Sequence, residues 1–264
     1  LIEPGVPDDT CEYCRTGRYN ICPGVDFMAT QPNYKGALTQ YMTHPEEWTY
    51  HIPEGMTTLE GALVEPAAVG MHAAVLGGAT VGKSIVILGA GAIGLMVLQA
   101  CLSLGAKDIT VVDVIEKRLE LAKKLGAARV INGKEQDTVA VLRSEELYGD
   151  HGIDLVFEAA GAVFTAQQAV QLVARGGKIM MVGTQSKPVP IDFLKINREV
   201  TIQTSFRYCN NFPQTIEAIA SGRFNVKDMV TNVYDYKDVQ IAFEEAIDPV
   251  KKTEMVKGVV KVAE

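Results

Sequence analysis

Residues 84–106 form the longest stretch of the chain without a charged side chain, and this stretch limits the folds open to the protein. Its 23 positions would suffice for a transmembrane helix. Four glycines interrupt it and argue against a membrane span: Gly89, Gly91, Gly94 and Gly105. The same residues divide naturally into a buried strand, a glycine turn and a buried helix. We therefore expect the core of an α/β domain and no membrane partner.

From Lys83 onward, short β-branched runs alternate with longer helical segments. This alternation predicts βαβ units and a parallel sheet. Strands are predicted at residues 84–88, 108–112, 129–131, 154–157, 178–182 and 200–204. Helices are predicted near residues 93–103, 116–125, 137–148, 164–173 and 193–197. The expected fold is α/β, with a six-stranded, doubly wound parallel sheet of the Rossmann type.

The two flanks of this unit differ from it in composition. The N-terminal flank is rich in Pro, Gly and Tyr, with strand-like pieces at 38–42 and 48–52, which predicts an irregular, mostly β region. The C-terminal flank predicts a helix at 212–221 that leads through residues 228–231 to a second helix at 236–246, and a terminal strand at 257–262. We expect both flanks to form one catalytic domain, with residues 1–65 and 206–264 on either side of a cofactor domain at 66–205.

The segment Gly89-Ala90-Gly91-Ala92-Ile93-Gly94 follows the first predicted strand and opens the first predicted helix. Its G-x-G-x-x-G pattern is meaningful because of this strand-turn-helix context. The first glycine permits a tight turn, Gly91 lets the backbone approach a pyrophosphate, and Gly94 allows close packing of helix on strand. The helix N-terminus stabilises the phosphate charge. The segment therefore predicts a dinucleotide cofactor.

Asp113 ends the second predicted strand, 19 residues after Gly94. A carboxylate at this point accepts hydrogen bonds from the adenosine ribose and repels a 2′-phosphate, which favours NAD over NADP. Arg118 leaves an alternative open, because it can accept a 2′-phosphate or lie on a solvated helix surface. Val182 and Gly183 close the fifth strand at the edge where the nicotinamide half is expected, although Gly183 also fits a simple strand-to-loop turn.

Charge and cysteine content narrow the class of protein further. The net charge of −7, spread along the chain, offers no basic face for nucleic acid or an anionic membrane. The five cysteines are an odd number, and Cys11, Cys14 and Cys22 lie within twelve residues. Such clustering favours metal ligation over a disulfide framework. We expect a reducing, cytoplasmic setting.

The pattern Asp8-x2-Cys11-x2-Cys14-x7-Cys22 has the spacing of a metal site, because thiolate sulfur is a preferred donor for tetrahedral zinc. It resembles the structural-zinc lobe of the medium-chain zinc alcohol dehydrogenases, with Asp8 in place of the first cysteine. The resemblance implies a structural zinc on these four residues. Unligated thiols are the alternative, since some sorbitol dehydrogenases lack this site.

The resemblance covers almost the whole chain and is closest to the polyol dehydrogenase branch, which includes the sorbitol and xylitol enzymes. It rests on residues 16–20 (TGRYN), 61–66 (GALVEP), 89–94, 111–113 (VVD) and 206–210 (FRYCN). It implies a GroES-like catalytic domain and zinc-dependent hydride transfer from a sugar alcohol to NAD. Without it, Glu65 would fit a charge at a helix start, and Phe206 and Tyr208 would fit core positions.

The resemblance also implies roles for single residues. Glu65 is expected beside the catalytic zinc, as a ligand or through its water. Arg207 and Tyr208 are expected to line the substrate and nicotinamide end of the cleft, with Phe206 near the cofactor and Phe27 as an aromatic wall of the pocket.

The family's remaining catalytic-zinc ligands, a cysteine and a His-Glu pair, lie upstream of the segment that matches this chain. The four histidines do not match that pattern and are interpreted as surface or core residues: His44, His51, His72 and His151. Leu1 is expected to stand part-way through such an enzyme, so that the chain as given lacks the full metal site and is inactive.

Several functional hypotheses follow from these residues. The leading one is an NAD- and zinc-dependent polyol dehydrogenase that oxidises sorbitol, xylitol or a related substrate to the ketose, as a homo-oligomer (dimer or tetramer). A threonine or butanediol dehydrogenase of the same superfamily and a non-catalytic NAD-binding fragment are the alternatives.

Overall fold

The computed structural model describes residues 1–31 and 35–262. The N-terminal part holds few regular elements: strand β1 (Gly5–Val6), helix α1 (Glu12–Arg15), strand β2 (Asp26–Phe27) and helix α2 (Thr58–Ala62). The strands β1 and β2 pair antiparallel. Two 3-10 turns, Tyr19–Ile21 and Glu46–Trp48, complete this part.

The strands predicted at 38–42 and 48–52 are wrong. Residues 38–42 are irregular, and the second segment forms only an isolated bridge between Thr49 and Ile2. Strand propensity is expressed only where a neighbouring strand offers pairing. Residues 48–50 pair only with the short segment 1–3, through two backbone hydrogen bonds, and among the described residues no strand pairs with residues 38–42.

The central unit alternates helices and strands in chain order. Its elements are α3 (Val64–Gly77), β3 (Ser84–Leu88), α4 (Ala92–Ser103), β4 (Asp108–Asp113), α5 (Glu116–Lys124), β5 (Arg129–Asn132), α6 (Thr138–Leu142), β6 (Ile153–Glu158), α7 (Val163–Leu172), β7 (Val173–Met181) and β8 (Thr201–Thr204). The sheet is parallel, with the order β5-β4-β3-β6-β7-β8. This order is that of the dinucleotide-binding Rossmann fold, and it confirms the predicted six-stranded sheet.

Three details of this unit differ from the prediction. The helix expected at 193–197 is a series of turns, in which the Asp192 carboxylate accepts a hydrogen bond from the Leu194 amide. Such side-chain bonds to the backbone compete with helix formation. Helix α6 ends at Leu142 and turns follow it, and β7 begins at Val173 instead of residue 178.

The C-terminal part contains α8 (Phe212–Ala220), β9 (Val230–Asp235), α9 (Val239–Ile247), α10 (Lys251–Glu254) and β10 (Lys257–Lys261). The strands β9 and β10 pair in parallel as a separate two-stranded sheet. Helix α8 shares a hydrophobic core with α3 and α4 through Phe212, Ile216 and Ile219. The C-terminal part is therefore packed against the central unit.

The close crossing of α3 and α4 depends on one glycine. A Cβ atom on Gly70 would lie 2.5 Å from the backbone carbonyl carbon of Met96.

No helix in the described ranges is both long and apolar enough to cross a bilayer. The uncharged stretch at 84–106 instead forms β3, the glycine turn and α4, as predicted.

Candidate functional site

The glycine turn lies between β3 and α4, beside the point where the strand order reverses. Gly89 has φ of +109°, which favours glycine, and a Cβ atom on Gly94 would lie 1.9 Å from the Gly89 carbonyl oxygen. Gly91 caps α4, and a Cβ atom there would meet nothing within 4 Å. The first and third glycines thus shape the turn, while the second keeps its outer face open. This geometry fits a pyrophosphate at the N-terminus of α4.

Asp113, at the end of β4, holds this turn in place. Its Oδ2 accepts a hydrogen bond from the Ala90 amide at 2.6 Å, and its Oδ1 accepts from the Val114 and Ile115 amides at 2.7 and 3.0 Å. A carboxylate offers about four lone-pair positions. The remaining capacity of Asp113 fits a ribose hydroxyl beside the turn.

Arg118 is tied to the C-terminal part of the chain. Its Nη2 donates to the Lys252 carbonyl oxygen at 2.8 Å, and its buried Nε has no hydrogen-bond partner among the described residues. Arg118 and Ala92 both line one cavity of about 680 Å³ that also borders β10. The Arg118 side chain thus lies near the glycine turn and is hydrogen-bonded to helix α10.

Glu158 is a site residue that the sequence reasoning missed. It ends β6, is fully buried, and its Oε1 accepts hydrogen bonds from the Ala160 and Gly161 amides and the Thr165 hydroxyl at 2.7 to 3.0 Å. Its Oε2 accepts from Gln185 at 2.7 Å. Glu158 therefore fixes the loop beside the glycine turn. The sequence signal that indicates Glu158 is a carboxylate at the end of an apolar strand, directly before the small residues Ala159 to Gly161.

Gly183 has a packing role at the same edge. A Cβ atom on it would lie 2.4 Å from the Gly161 amide nitrogen, and the amides of Val182 and Gly183 both donate to the Glu158 carbonyl oxygen at 2.8 Å. The two loops at the carboxyl ends of β6 and β7 therefore approach each other closely. This approach explains a glycine here on structural grounds alone.

The cysteine lobe, defined as residues 8–22, brings the four predicted zinc ligands together. One ligand atom from each of Asp8, Cys11, Cys14 and Cys22 lies within 4.8 Å of all the others. Tetrahedral zinc with bonds of about 2.3 Å to sulfur needs donors about 3.8 Å apart. The Cys11 and Cys14 sulfurs are 3.4 Å apart. The donor set therefore fits a tetrahedral zinc ion.

The electrostatics of the lobe depend on the same contacts. The pKa of Asp8 is lowered, first by hydrogen bonds from the backbone of Thr10 and Cys11. The pKa of Cys14 is raised to about 12, first by desolvation and then by the neighbouring sulfurs. The pKa of Cys11 is lowered instead, first by a hydrogen bond from the Cys14 backbone. In the absence of a cation the Cys14 thiol thus resists the negative charge that a divalent ion would compensate.

The substrate end predicted from the sequence combines one residue of α3 with the loop that follows β8. Glu65 lies in the first turn of α3, and the substrate loop, residues 206–210, presents Arg207 and Tyr208 towards it. The Arg207 guanidinium carbon lies 3.8 Å from the centre of the Phe27 ring and 4.9 Å from that of Phe206. The fold therefore brings the five predicted residues of this end together.

Charge and burial at this end are linked. Burial raises the pKa of the Glu65 carboxyl, while Tyr208, Lys257 and Arg207 act to lower it. Burial also raises the pKa of Tyr208, and the Glu65 charge adds to this effect. The Tyr208 hydroxyl is buried and makes no hydrogen bond of normal geometry to a described residue. It faces the Glu65 carboxyl, so a bound molecule that accepts its proton competes with that carboxyl.

A second group that the sequence reasoning missed surrounds Glu3. This carboxylate is 1% exposed and accepts hydrogen bonds from the hydroxyls of Tyr19 and Tyr50 at 2.6 and 2.9 Å. Burial is the main cause that raises the pKa of Glu3. Tyr19 belongs to the TGRYN segment, but the partners of Tyr19 are far apart in the chain and no local pattern indicates them.

No histidine belongs to a cluster of metal-ligand side chains among the described residues. His72 is buried in α3, His44 hydrogen-bonds through Nε2 to the Glu3 carbonyl oxygen at 2.9 Å, and His51 and His151 are exposed. Among the described residues, the cysteine lobe is the one cluster of three or more metal-ligand side chains. The place of Glu65 beside a catalytic zinc stays a prediction, and Glu65 belongs to no cluster of three or more metal-ligand side chains among the described residues.

The parallel sheet and the open glycine turn at its switch point define a dinucleotide-binding domain, with the Asp113 carboxylate beside the turn. Residues 92–221 match the family model described as zinc-binding dehydrogenase, and residues 1–54 match the alcohol dehydrogenase GroES-like domain. The chain belongs to the zinc-binding alcohol dehydrogenase family. Zinc and NAD are the cofactors typical of this family.

Individual relatives agree with this assignment. The chain is 62% identical over 263 residues to an uncharacterized zinc-type alcohol dehydrogenase-like protein of Escherichia coli, covering 100% of this chain and 75% of that protein. It is 40% identical over 249 residues to the sorbitol dehydrogenase of Bacillus subtilis, covering 93% of this chain and 69% of the relative.

Among solved structures, a similar one is an oxidoreductase/dehydrogenase of unknown specificity from Escherichia coli. It has a TM-score of 0.96 and 61% identity, over 100% of this chain and 75% of that one. The expectation that the chain lacks an upstream segment is not supported by these matches and stays a prediction.

Proposed function

We propose that the protein oxidises a secondary hydroxyl of a small polyol, of the sorbitol or xylitol type, to the ketone while hydride passes to NAD. The sorbitol dehydrogenase relative at 40% identity supports the substrate class. The observation that carries the proposal is the grouping of a partly buried carboxylate, a guanidinium and a buried phenol at one end of the cleft: Glu65, Arg207 and Tyr208.

The cofactor is assigned to the glycine turn and its neighbours. The open face at Gly91 and the N-terminus of α4 would bind the pyrophosphate, and Asp113 would accept a ribose hydroxyl. Val182 and Gly183 lie at the carboxyl edge of the sheet, where the nicotinamide half would run. Phe206 and Arg207 border the same end.

Several substrate hydroxyls require several directed donors and acceptors. Arg207 stays charged in a half-buried place and offers up to five N–H donors, so it binds hydroxyl oxygens. Tyr208 offers one donor, and Phe27 restricts the movement of the guanidinium. A substrate with a single hydroxyl would leave these groups unpaired. Each unpaired group would weaken the binding of that substrate by about 1–3 kcal/mol.

Zinc at two places is part of the proposal. Asp8 and the three lobe cysteines would hold a structural ion, which stabilises the lobe. A catalytic zinc, when bound, polarises the alcohol oxygen and lowers its pKa. Glu65 is the described residue that would lie beside it.

The test is NADH formation, followed by its absorbance, with sorbitol, xylitol, threonine and 2,3-butanediol in the zinc-supplemented protein. We expect the polyols to have the highest kcat/KM, and Arg207→Ala to raise KM for polyols about tenfold or more, since charged hydrogen bonds contribute about 1.5–3 kcal/mol. A higher kcat/KM for threonine or butanediol than for both polyols would establish the alternative dehydrogenase class.

Three further parts of the proposal concern the whole molecule. The division into residues 1–65, 66–205 and 206–264 follows from the sequence. A homo-oligomer is supported by β8, an edge strand of the sheet with exposed Thr201, Ile202 and Thr204. A cytoplasmic, reducing compartment is supported by the five cysteines, all of which are free of disulfides.

A further inference from the structure

The substrate loop, residues 206–210, has a backbone conformation that depends on contacts with other parts of the chain. Arg207 has φ of +50° and Asn210 has φ of +57°, both in the left-handed region, which an arginine rarely adopts and an asparagine tolerates better. Such residues keep this conformation only where surrounding contacts over-determine it. The contacts that hold residues 206–210 therefore decide where Arg207 and Tyr208 point.

Three hydrogen bonds from the cysteine lobe hold both ends of this loop. At the start of the loop, the Asn20 side-chain Nδ2 donates to the Phe206 carbonyl oxygen at 2.8 Å. At the end, the Asn210 backbone N–H donates to the Tyr19 hydroxyl at 2.7 Å, and the Asn210 side chain donates to the Gly17 carbonyl oxygen at 2.6 Å. The bonds thus bracket the two residues assigned to substrate binding.

The Tyr19 hydroxyl is itself fixed by a buried partner. Its single proton goes to Glu3 Oε1 at 2.6 Å, which leaves its oxygen free to accept the Asn210 N–H. Glu3 receives a second bond from Tyr50 at 2.9 Å. The Tyr19 ring packs edge-on against Trp48, with centroids 4.9 Å apart. The hydroxyl therefore has little freedom to follow a displaced loop.

The lobe residues that make these bonds occupy one short segment. Gly17, Tyr19 and Asn20 all lie between Cys14 and Cys22, two members of the sulfur cluster. Anything that joins those two sulfurs fixes both ends of the segment. The cluster and the substrate loop are therefore mechanically connected.

We propose that the segment between Cys14 and Cys22 is a clamp that orients the substrate loop, with Tyr19 as the positioning residue that links buried Glu3 to Asn210. The inference rests on the proposed substrate role of Arg207 and Tyr208. Tyr19 touches neither substrate nor cofactor; it acts through the backbone of the loop.

The experiment compares Tyr19→Phe with the matched control Tyr50→Phe. Both variants remove one hydrogen bond to Glu3, but only Tyr19→Phe removes the acceptor of the Asn210 amide. The first readout is hydrogen–deuterium exchange of the loop, followed by mass spectrometry. We expect exchange in residues 206–211 to accelerate about two- to tenfold in Tyr19→Phe, as for the loss of one hydrogen bond, and to stay unchanged in Tyr50→Phe.

The second readout is polyol oxidation. Tyr19→Phe is expected to raise KM for the polyol about two- to tenfold with kcat changed by less than about twofold, because it displaces binding groups without altering the reacting atoms. Tyr50→Phe is expected to leave KM unchanged. Asn20→Ala removes the bond to Phe206 near the surface and should shift both readouts in the same direction. This variant tests the clamp if Tyr19→Phe does not fold.

Equal loop exchange in Tyr19→Phe, Asn20→Ala and Tyr50→Phe would overturn the clamp. The proposed function fails separately. If loop exchange rises as expected while the wild-type protein oxidises no polyol, the clamp stands and the substrate class is wrong.

Discussion

The guanidinium carbon of Arg207 lies 3.8 Å above the ring of Phe27, a residue of β2 that is distant from it in the chain. Cation–π contacts of this kind contribute about 0.5–2 kcal/mol, depending on how far the pair is desolvated. Arg207 is half-buried, and burial lowers the pKa of its guanidinium. The contact orients a charge that would otherwise sample several rotamers.

Phe27→Leu is expected to raise KM for the polyol about two- to thirtyfold, with little change in kcat. Phe193→Leu is the control, because Phe193 is 71% exposed and lies outside the predicted site residues. Steady-state kinetics on both variants measures the difference. Equal KM values in the two variants would show that Phe27 does not orient Arg207.

Cys14→Ser is expected to lower the zinc content of the protein by about one ion per chain, as measured by mass spectrometry of the metal. In the wild-type protein, chelation should lower Tm and accelerate exchange in residues 206–211, because the clamp loses its fixed ends. Cys209→Ser, outside the cluster, is the control. A wild-type protein that binds no zinc under saturating conditions would establish the alternative of unligated thiols.

Gly91→Ala should separate cofactor binding from folding. Its Cβ atom has open space, so the free energy of unfolding should fall by about 1 kcal/mol or less. The methyl group would occupy the face where the pyrophosphate binds, so Kd for NAD should rise about tenfold or more. Calorimetric titration and urea unfolding measure the two quantities. Unchanged NAD affinity would contradict the assignment of the open face.

Gly94→Ala is the contrasting variant. Its Cβ atom would lie 1.9 Å from the Gly89 carbonyl oxygen, so the turn must move. Both stability and NAD affinity should fall, with a loss of about 1–3 kcal/mol in the free energy of unfolding. Stability equal to that of the wild-type protein would show that the turn can relax without cost.

His72 gives a prediction for pH dependence. Burial in α3 lowers its pKa below the ordinary value of 6.5, so the unfolded chain binds a proton that the folded protein does not. The stability contributed by neutral His72 is therefore lost as the pH falls below about 6.5. Urea unfolding at pH 8 and pH 5.5 should show a larger loss in the wild-type protein than in His72→Gln. Equal losses would show that His72 is protonated in the folded state.

Local patterns were sufficient for the central sheet and the cofactor turn. The strands at 84–88 and 108–112 and the helix after Gly91 are encoded by apolar runs and by glycines at fixed spacing, and each is a property of neighbouring residues. The four lobe residues were also found from spacing, because two of the three intervals between them are only two residues long. The helix predicted at 193–197 failed for the opposite reason, since Asp192 offers the backbone a local alternative.

The sequence by itself determined the order of strands and helices, the glycine turn and the identity of the cysteine cluster, because these depend on contacts within a few residues. Only the tertiary structure decided which groups meet at the substrate end. The bond from Asn210 to Tyr19 spans 191 positions, and that from Asn20 to Phe206 spans 186. The spacing of residues along the sequence does not predict such a long-range pairing. It exists because the fold brings the cysteine lobe beside the loop after β8, where the buried Glu3 carboxylate accepts the Tyr19 proton and leaves the Tyr19 oxygen free for the Asn210 N–H.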